Sequence, residues 1–308
     1  MRSTRRRFLA VFATAALSSS ARTGPVTRHR FRALGTEAQI TLVGSLKQAE
    51  AALIACRQEV AAIETAFSLY DPDSTLSRLN RDGKVASNAR FSTLLRHALV
   101  MAENTGGAFD PTIQPLWHAF AAGGDLQQAR HLIGWRGLQV AKGAVHFSDR
   151  GMAASFNGIA QGFAADQVSA ILAKHGFENT LVDLGEFSAR GKNQTRPWLL
   201  GIRAPKSGRI ISHIEPAAGA IATSEPRSML IDGHPHIIDP LERTGKRWAS
   251  VTVETREAWR ADALSTAIAA SPISEAESLL AAGDAIRGWL IKASGAIIEW
   301  SANEKEVG

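Results

Sequence analysis

The spacing of apolar and polar positions divides the chain into segments of changing period. In HRFRALGTEAQITLVG (29–44) the later residues alternate, which predicts a strand after a Gly35-Thr36 turn. From 46 to 67 the spacing turns helical and Ala-rich, and Asp71-Pro72-Asp73-Ser74 predicts the turn beyond it. Residues 88–107 predict a second helix stopped by Gly106-Gly107, followed by a loop entering a short helix. A small helix is expected at 125–134 and a hairpin at 138–149. A Gly-containing turn at 154–162 then runs into a further helix. Short strands are predicted at 180–185, 198–205, 220–224, 236–240 and 250–254. A helix over 261–270 and a hairpin over 288–301 close the chain. Helices and strands are both plentiful but do not alternate regularly, so the fold class is α+β rather than a doubly wound sheet.

A length of 308 residues suits one large domain or two intimately packed lobes. No run approaches the roughly 18 apolar residues of a spanning helix, so the chain is not expected to cross a membrane. The formal charge of +6 includes four arginines in residues 1–21, and without them it falls to +2. A balance that small, with no basic aromatic strip, excludes nucleic acid as an expected partner. Cys56 is the only cysteine and lies in an apolar helix, so neither an intrachain disulfide nor a thiolate metal site is expected. Residues 1–21 combine a basic start, an apolar run from Phe8 to Leu17 and a small-residue end, the pattern of an export signal. Thr4-Arg5-Arg6-Arg7-Phe8-Leu9 is similar to a twin-arginine signal, which implies a periplasmic mature protein spanning 22–308.

Four stretches bring polar groups into apolar segments beside Gly or Pro. In TGGAFDPTIQPL (105–116), Gly106-Gly107 allows close backbone approach, and Asp110 either presents a carboxylate at a turn or caps the next helix. In ASFNGIAQGFAAD (154–166), Gly158 and Gly162 at a helix entrance suit either a phosphate or tight helix packing. In HPHIIDPLERTG (234–245), His236 is either a general acid or base or a surface residue. In WRADALSTAIAA (259–270), Asp262 and Thr266 lie one turn apart. They offer two oxygens to a cation such as Mg²⁺, or else Thr266 bonds backbone while Asp262 caps a helix or pairs with Arg260.

Taken in order, these pieces resemble the ApbE family of FAD:protein FMN transferases, including its NosX-like periplasmic members. The matching stretches are LGT (34–36), FSLYDPDSTLSRLN (67–80), GGAFDPTIQPL (106–116), NGIAQGFAAD (157–166) and LVDLG (181–185). ATS (222–224), HIIDP (236–240) with TG (244–245), and ADALSTA (261–267) complete them. The resemblance implies an ApbE-type α+β fold that binds FAD as substrate with Mg²⁺. It implies transfer of FMN to a Ser or Thr hydroxyl of an acceptor flavoprotein, with AMP leaving. The acceptor would carry a motif of the Gly-Ala/Val-Thr/Ser type, as in respiratory or nitrous-oxide-pathway flavoproteins. Mg²⁺ would be held by Asp262, Thr266 and the carbonyl of Gly158. Flavin contacts would come from Leu34, Tyr70, Ala108, Phe109, Asp110, Ser155, Gln161 and Ser224, and His236 would move the acceptor's proton. Three positions depart from the family pattern. Ser155 stands where Asp is usual, Gln161 where Lys or Glu is usual, and Thr223-Ser224-Glu225-Pro226 replaces a Thr-Ser-Gly turn. Such changes leave open a flavin carrier without turnover, or an FAD pyrophosphatase giving FMN and AMP. A periplasmic solute-binding protein is disfavoured by the irregular strand order.

Overall fold

The computed structural model describes residues 9–11, 24–141, 143–205, 207–216 and 219–302. The expected leader, 1–21, lies outside them except for the backbone of a short strand at Leu9–Val11. The fold is α+β, as the irregular alternation predicts. Eight strands form one antiparallel meander whose spatial order is the chain order. They are β1 (Val26–Ala33), β2 (Thr36–Val43), β3 (Thr180–Asp183), β4 (Phe187–Arg190), β5 (Ala220–Ser224), β6 (Trp248–Thr255), β7 (Arg287–Lys292) and β8 (Ile297–Ser301). Helices enter as insertions. The β2–β3 connection holds α1 (Leu46–Phe67), α2 (Thr75–Asp82), α3 (Ala89–Asn104), α4 (Gln114–Ala122), α5 (Leu126–His131) and α6 (Ala160–Lys174). The β6–β7 connection holds α7 (Ala258–Ala270) and α8 (Ala276–Ala282).

The two sheet faces are covered differently. One carries Ile40, Leu42, Val182, Ala220, Val251 and Val253 into the main core with α1, α6 and α7. The other carries Leu181, Phe187, Ile221, Trp289 and Ile291 against Leu200, Ile202 and Ile214 of a small sheet. That sheet pairs 200–203 with 210–214 and with 9–11. Because α7 is buried on nearly every side, its sequence is rich in Ala, Leu and Ile all round rather than on one stripe. Cys56 is fully buried, as expected.

Three expectations change. The strand after Gly35 is half of a hairpin, β1 having been masked by its alternating arginines and polar residues. Leu34 (φ 50°) and Gly35 (φ 74°) make the two-residue turn, and the Leu34 N–H donates to Glu64 Oε1 of α1 at 2.6 Å. Within the stretch read as a turn, Ser74 caps a further helix, α2, by accepting from Ser77 N at 2.9 Å. Residues 236–240 are a loop instead of a strand. Asp239 gathers the N–H groups of Leu241 and Arg243 and the guanidiniums of Arg243 and Arg247, which bends the chain out of extension. The two-residue strand His234–Pro235 precedes it, paired with Leu230–Ile231. Among the described residues no helix is long and apolar enough to cross a membrane.

Candidate functional site

The site is built around the crossing of α6 and α7. A Cβ at Gly162 would lie 2.1 Å from the Ala258 carbonyl oxygen and 2.8 Å from Asp262 Cβ, so only glycine allows this approach. The contact is sealed by reciprocal capping. Asp262 of α7 accepts from Gly162 N at 2.9 Å, in the first turn of α6. Asp166 of α6 accepts from Ala258 N and Trp259 N, each at 2.9 Å, at the start of α7. Burial pushes the Asp166 carboxyl up to about 7, against the pull of those two N–H groups. Of the alternatives for Gly162, tight packing holds, since its N–H is taken by Asp262. Arg260 does not pair with Asp262; it reaches Glu257 at 3.3 Å and Asp284 at 3.1 Å.

One turn along α7, Thr266 meets the loop before α6. A Cβ on Gly158 would come within 3.0 Å of Thr266 Oγ1. From the end of β5, Ser224 Oγ lies 2.9 Å from Ser265 Oγ and 3.3 Å from Thr266 Oγ1. The structure therefore gathers Gly158, Asp262, Thr266 and Ser224 on one side of the helix pair. Gln161, buried beside them, donates to the Leu184 carbonyl at 3.1 Å and lies where a Cβ on Gly185 would have to go.

The loop before α6 is tied to two other predicted segments. Ser155 N donates to the Pro111 carbonyl at 2.8 Å. Asn80 of α2 clamps Ala154, donating to its carbonyl at 2.9 Å and accepting from its N–H at 2.7 Å. Gly106 and Gly107 take left-handed φ and end α3, as expected. Ala108 and Phe109 follow, both buried. Asp110 does not cap α4, whose cap is Ile113 without a side-chain bond. Its carboxylate instead accepts from Thr112 N (2.7 Å), Thr112 Oγ1 (2.6 Å) and Trp135 N (3.1 Å). Burial raises its pKa above the ordinary carboxylate value, opposed by these bonds.

His236 is half-buried, and its Nδ1 lies 2.9 Å from the Pro226 carbonyl and 3.2 Å from that of Met229. Facing two acceptors, Nδ1 must carry the proton, which makes Nε2 the basic nitrogen of the neutral ring. The backbone carbonyls of Pro226 and Met229 thus set the tautomer. Of the other predicted flavin contacts, Leu34 is anchored to α1, and Tyr70 is 90% exposed just beyond α1. Reasoning from sequence missed Asn80 and Asp166, and it named Glu225 as a departure without showing its burial. The first two lie inside the matching stretches 67–80 and 157–166, so position there was the available signal.

Comparison with known proteins places the chain in a family. The ApbE family model matches residues 34–288. The FAD:protein FMN transferase of Salmonella typhimurium is 26% identical over 268 residues, 77% of this chain and 76% of the relative. That of Treponema pallidum is 27% identical over 254 residues, 67% of this chain and 70% of the relative. The ApbE protein of Thermotoga maritima superposes with a TM-score of 0.80 at 26% identity, over 92% of this chain and 99% of that one. The flavin transferase ApbE of Vibrio cholerae does so with a TM-score of 0.79 at 23% identity over the same shares. With most of its length, the helix pair and the strand-end loop inside the matched span, the chain belongs to the ApbE family.

Proposed function

We propose that this chain is an FAD:protein FMN transferase, moving FMN from FAD to a Ser or Thr hydroxyl of an acceptor flavoprotein. The observation that carries the reading is the convergence of Gly158, Asp262, Thr266 and Ser224 at the α6–α7 crossing, with His236 joined to the same strand end through Pro226. The names borne by the curated relatives support the same activity.

The residues present fit a hard divalent cation: Asp262, Thr266 and the Gly158 carbonyl all offer oxygen ligands. Among the described residues there is no group of three or more His, Cys, Asp or Glu, so substrate phosphate oxygens would complete the coordination. Bound there, Mg²⁺ would offset charge developing on the phosphoryl oxygens.

In the reaction, the acceptor hydroxyl oxygen bonds to the FMN phosphorus while the pyrophosphate P–O bond breaks and AMP leaves. His236 Nε2 takes the hydroxyl proton, its orientation held by Pro226 and Met229. Ser224 and the backbone around Gly158 position the phosphates, while the Asp110 turn and buried Ala108-Phe109 shape the flavin side, with Leu34, Tyr70, Ser155 and Gln161 at its margins. The leader supports export by the twin-arginine route to the periplasm, and an acceptor with a Gly-Ala/Val-Thr/Ser motif, respiratory or of the nitrous oxide pathway, fits that compartment.

The test uses mature protein, FAD and Mg²⁺, with and without an acceptor domain, read by intact mass. A gain of one FMN on the acceptor, abolished by EDTA, is the expected result. Bound FAD without transfer would make the chain a carrier, and AMP with free FMN in the absence of acceptor would make it a pyrophosphatase.

A further inference from the structure

The strand end after β5 holds one group the chemistry above does not use. Glu225 is 6% exposed, and its Oε1 is buried with no hydrogen-bond partner. Among the described residues it is the only carboxyl with such an atom. Asp110, Asp166, Asp239 and Asp262 all accept from named donors. A buried carboxyl left unpaired destabilises the free protein, where glycine or alanine would not. Burial pushes its pKa up to about 8, so near neutrality it stands as the uncharged acid, able both to donate and to accept.

Its backbone setting is fixed. The Glu225 carbonyl accepts from Ser228 N at 3.1 Å and Ser228 Oγ at 2.9 Å. The residue before it, Ser224, joins the hydroxyl cluster with Ser265 and Thr266, and the residue after it, Pro226, holds His236. Glu225 therefore stands in the chain between Ser224, which meets Thr266, and Pro226, whose carbonyl holds His236.

We propose that Glu225 is a substrate-binding residue of this chain, its carboxyl hydrogen-bonding a hydroxyl or N–H group of the flavin nucleotide as it enters the site. This rests on the flavin-transferase reading. Such a nucleotide is rich in donors, from the ribityl and ribose hydroxyls to the ring imide. An uncharged acid meets them without repelling the nearby phosphates. The unpaired state is then the cost of a site kept ready for its ligand, and stability is traded for binding.

The experiment measures FAD affinity and thermal stability together for the wild type, Glu225→Ala and Glu225→Gln. Glu225→Ala is expected to bind FAD about tenfold more weakly, the loss of one good hydrogen bond, while the ligand-free variant melts higher than wild type. Glu225→Gln, which keeps a donor and an acceptor, should restore affinity to within about threefold. Equal FAD affinity in Glu225→Ala and wild type would overturn the inference while leaving the transferase reading intact. So would a lower melting temperature with unchanged binding, which would make the residue structural. If Glu225→Ala does not fold, Glu225→Gly replaces it, and failure of both to fold also overturns the proposal. A wild type that binds no FAD would remove the flavin reading itself and the inference with it.

Discussion

The α6–α7 crossing and the strand-end loop over 224–245 lie in contact yet follow opposite rules. At the crossing, the carboxylates of buried Asp262 and half-buried Asp166 each cap the other's helix, and a glycine brings the helices together at the limit of contact. In the loop, Glu225 is buried without a partner for Oε1. Asp232 and Glu242 adopt positive φ, and Leu230 and Leu241 are 47% and 48% exposed. The first region is a scaffold in which polar groups satisfy one another. The second keeps groups in reserve, as loops carried on a rigid frame commonly do. The difference teaches that burial alone does not mark a working residue: the Asp166 carboxylate is taken up in capping α7, while Glu225 Oε1 has no hydrogen-bond partner among the described residues.

Four substitutions sharpen this contrast. Asp262→Ala should reduce FMN transfer by about a thousandfold, since the proposed cation at this position would supply several kcal/mol of charge stabilisation. Its melting curve should remain cooperative, and full transfer activity would remove Asp262 from the chemistry. Gly162→Ala should destabilise the fold by about 3 kcal/mol in urea titrations, because the new Cβ meets backbone that cannot swing away. A neutral effect there would mean the helices separate easily.

Glu225→Gln tests the reserve through pH. Between its ordinary pKa of 4.5 and about 8, the unfolded chain has released a proton that the folded protein keeps, so wild-type stability falls as pH rises. Asp166, raised from 3.8 to about 7, acts in the same direction. The glutamine variant should match wild type near pH 5 and exceed it by about 2–3 kcal/mol at pH 8, read from melts at both pH values. A constant gap would contradict the unpaired burial of Glu225. Smallest is Asp166→Ala, expected to cost about 1–2 kcal/mol through loss of the α7 cap, with FAD affinity unchanged.

Much of this arrangement was legible beforehand because local rules and tertiary packing agree there. The all-round apolar pattern of 259–270 marked a buried helix, and Asp262 within it signalled a compensated carboxylate. Gly106-Gly107 stopped α3 where left-handed φ was needed. The failures have equally local causes. The alternating arginines of β1 hid a strand whose polar residues face solvent at the sheet edge. The apolar pair Ile237-Ile238 imitated a strand, although these residues pack into two different clusters across a bend fixed by Asp239. Pro226 looked like an obstacle because periodicity carries no information about where a carbonyl points, and that carbonyl orients His236. The partner of Asp262 lies 100 residues away, a contact that no spacing rule reaches.

The central claim, that His236 serves the transfer step and not the binding of FAD, is tested most directly by His236→Ala. FAD affinity and single-turnover FMN transfer from the bound complex would be measured on the same preparation. The account predicts unchanged affinity with transfer slowed by about a hundredfold, as expected for loss of a positioned general base. Weakened FAD binding with an unchanged rate in the complex that remains would contradict it, and would place His236 in the frame instead of the reaction.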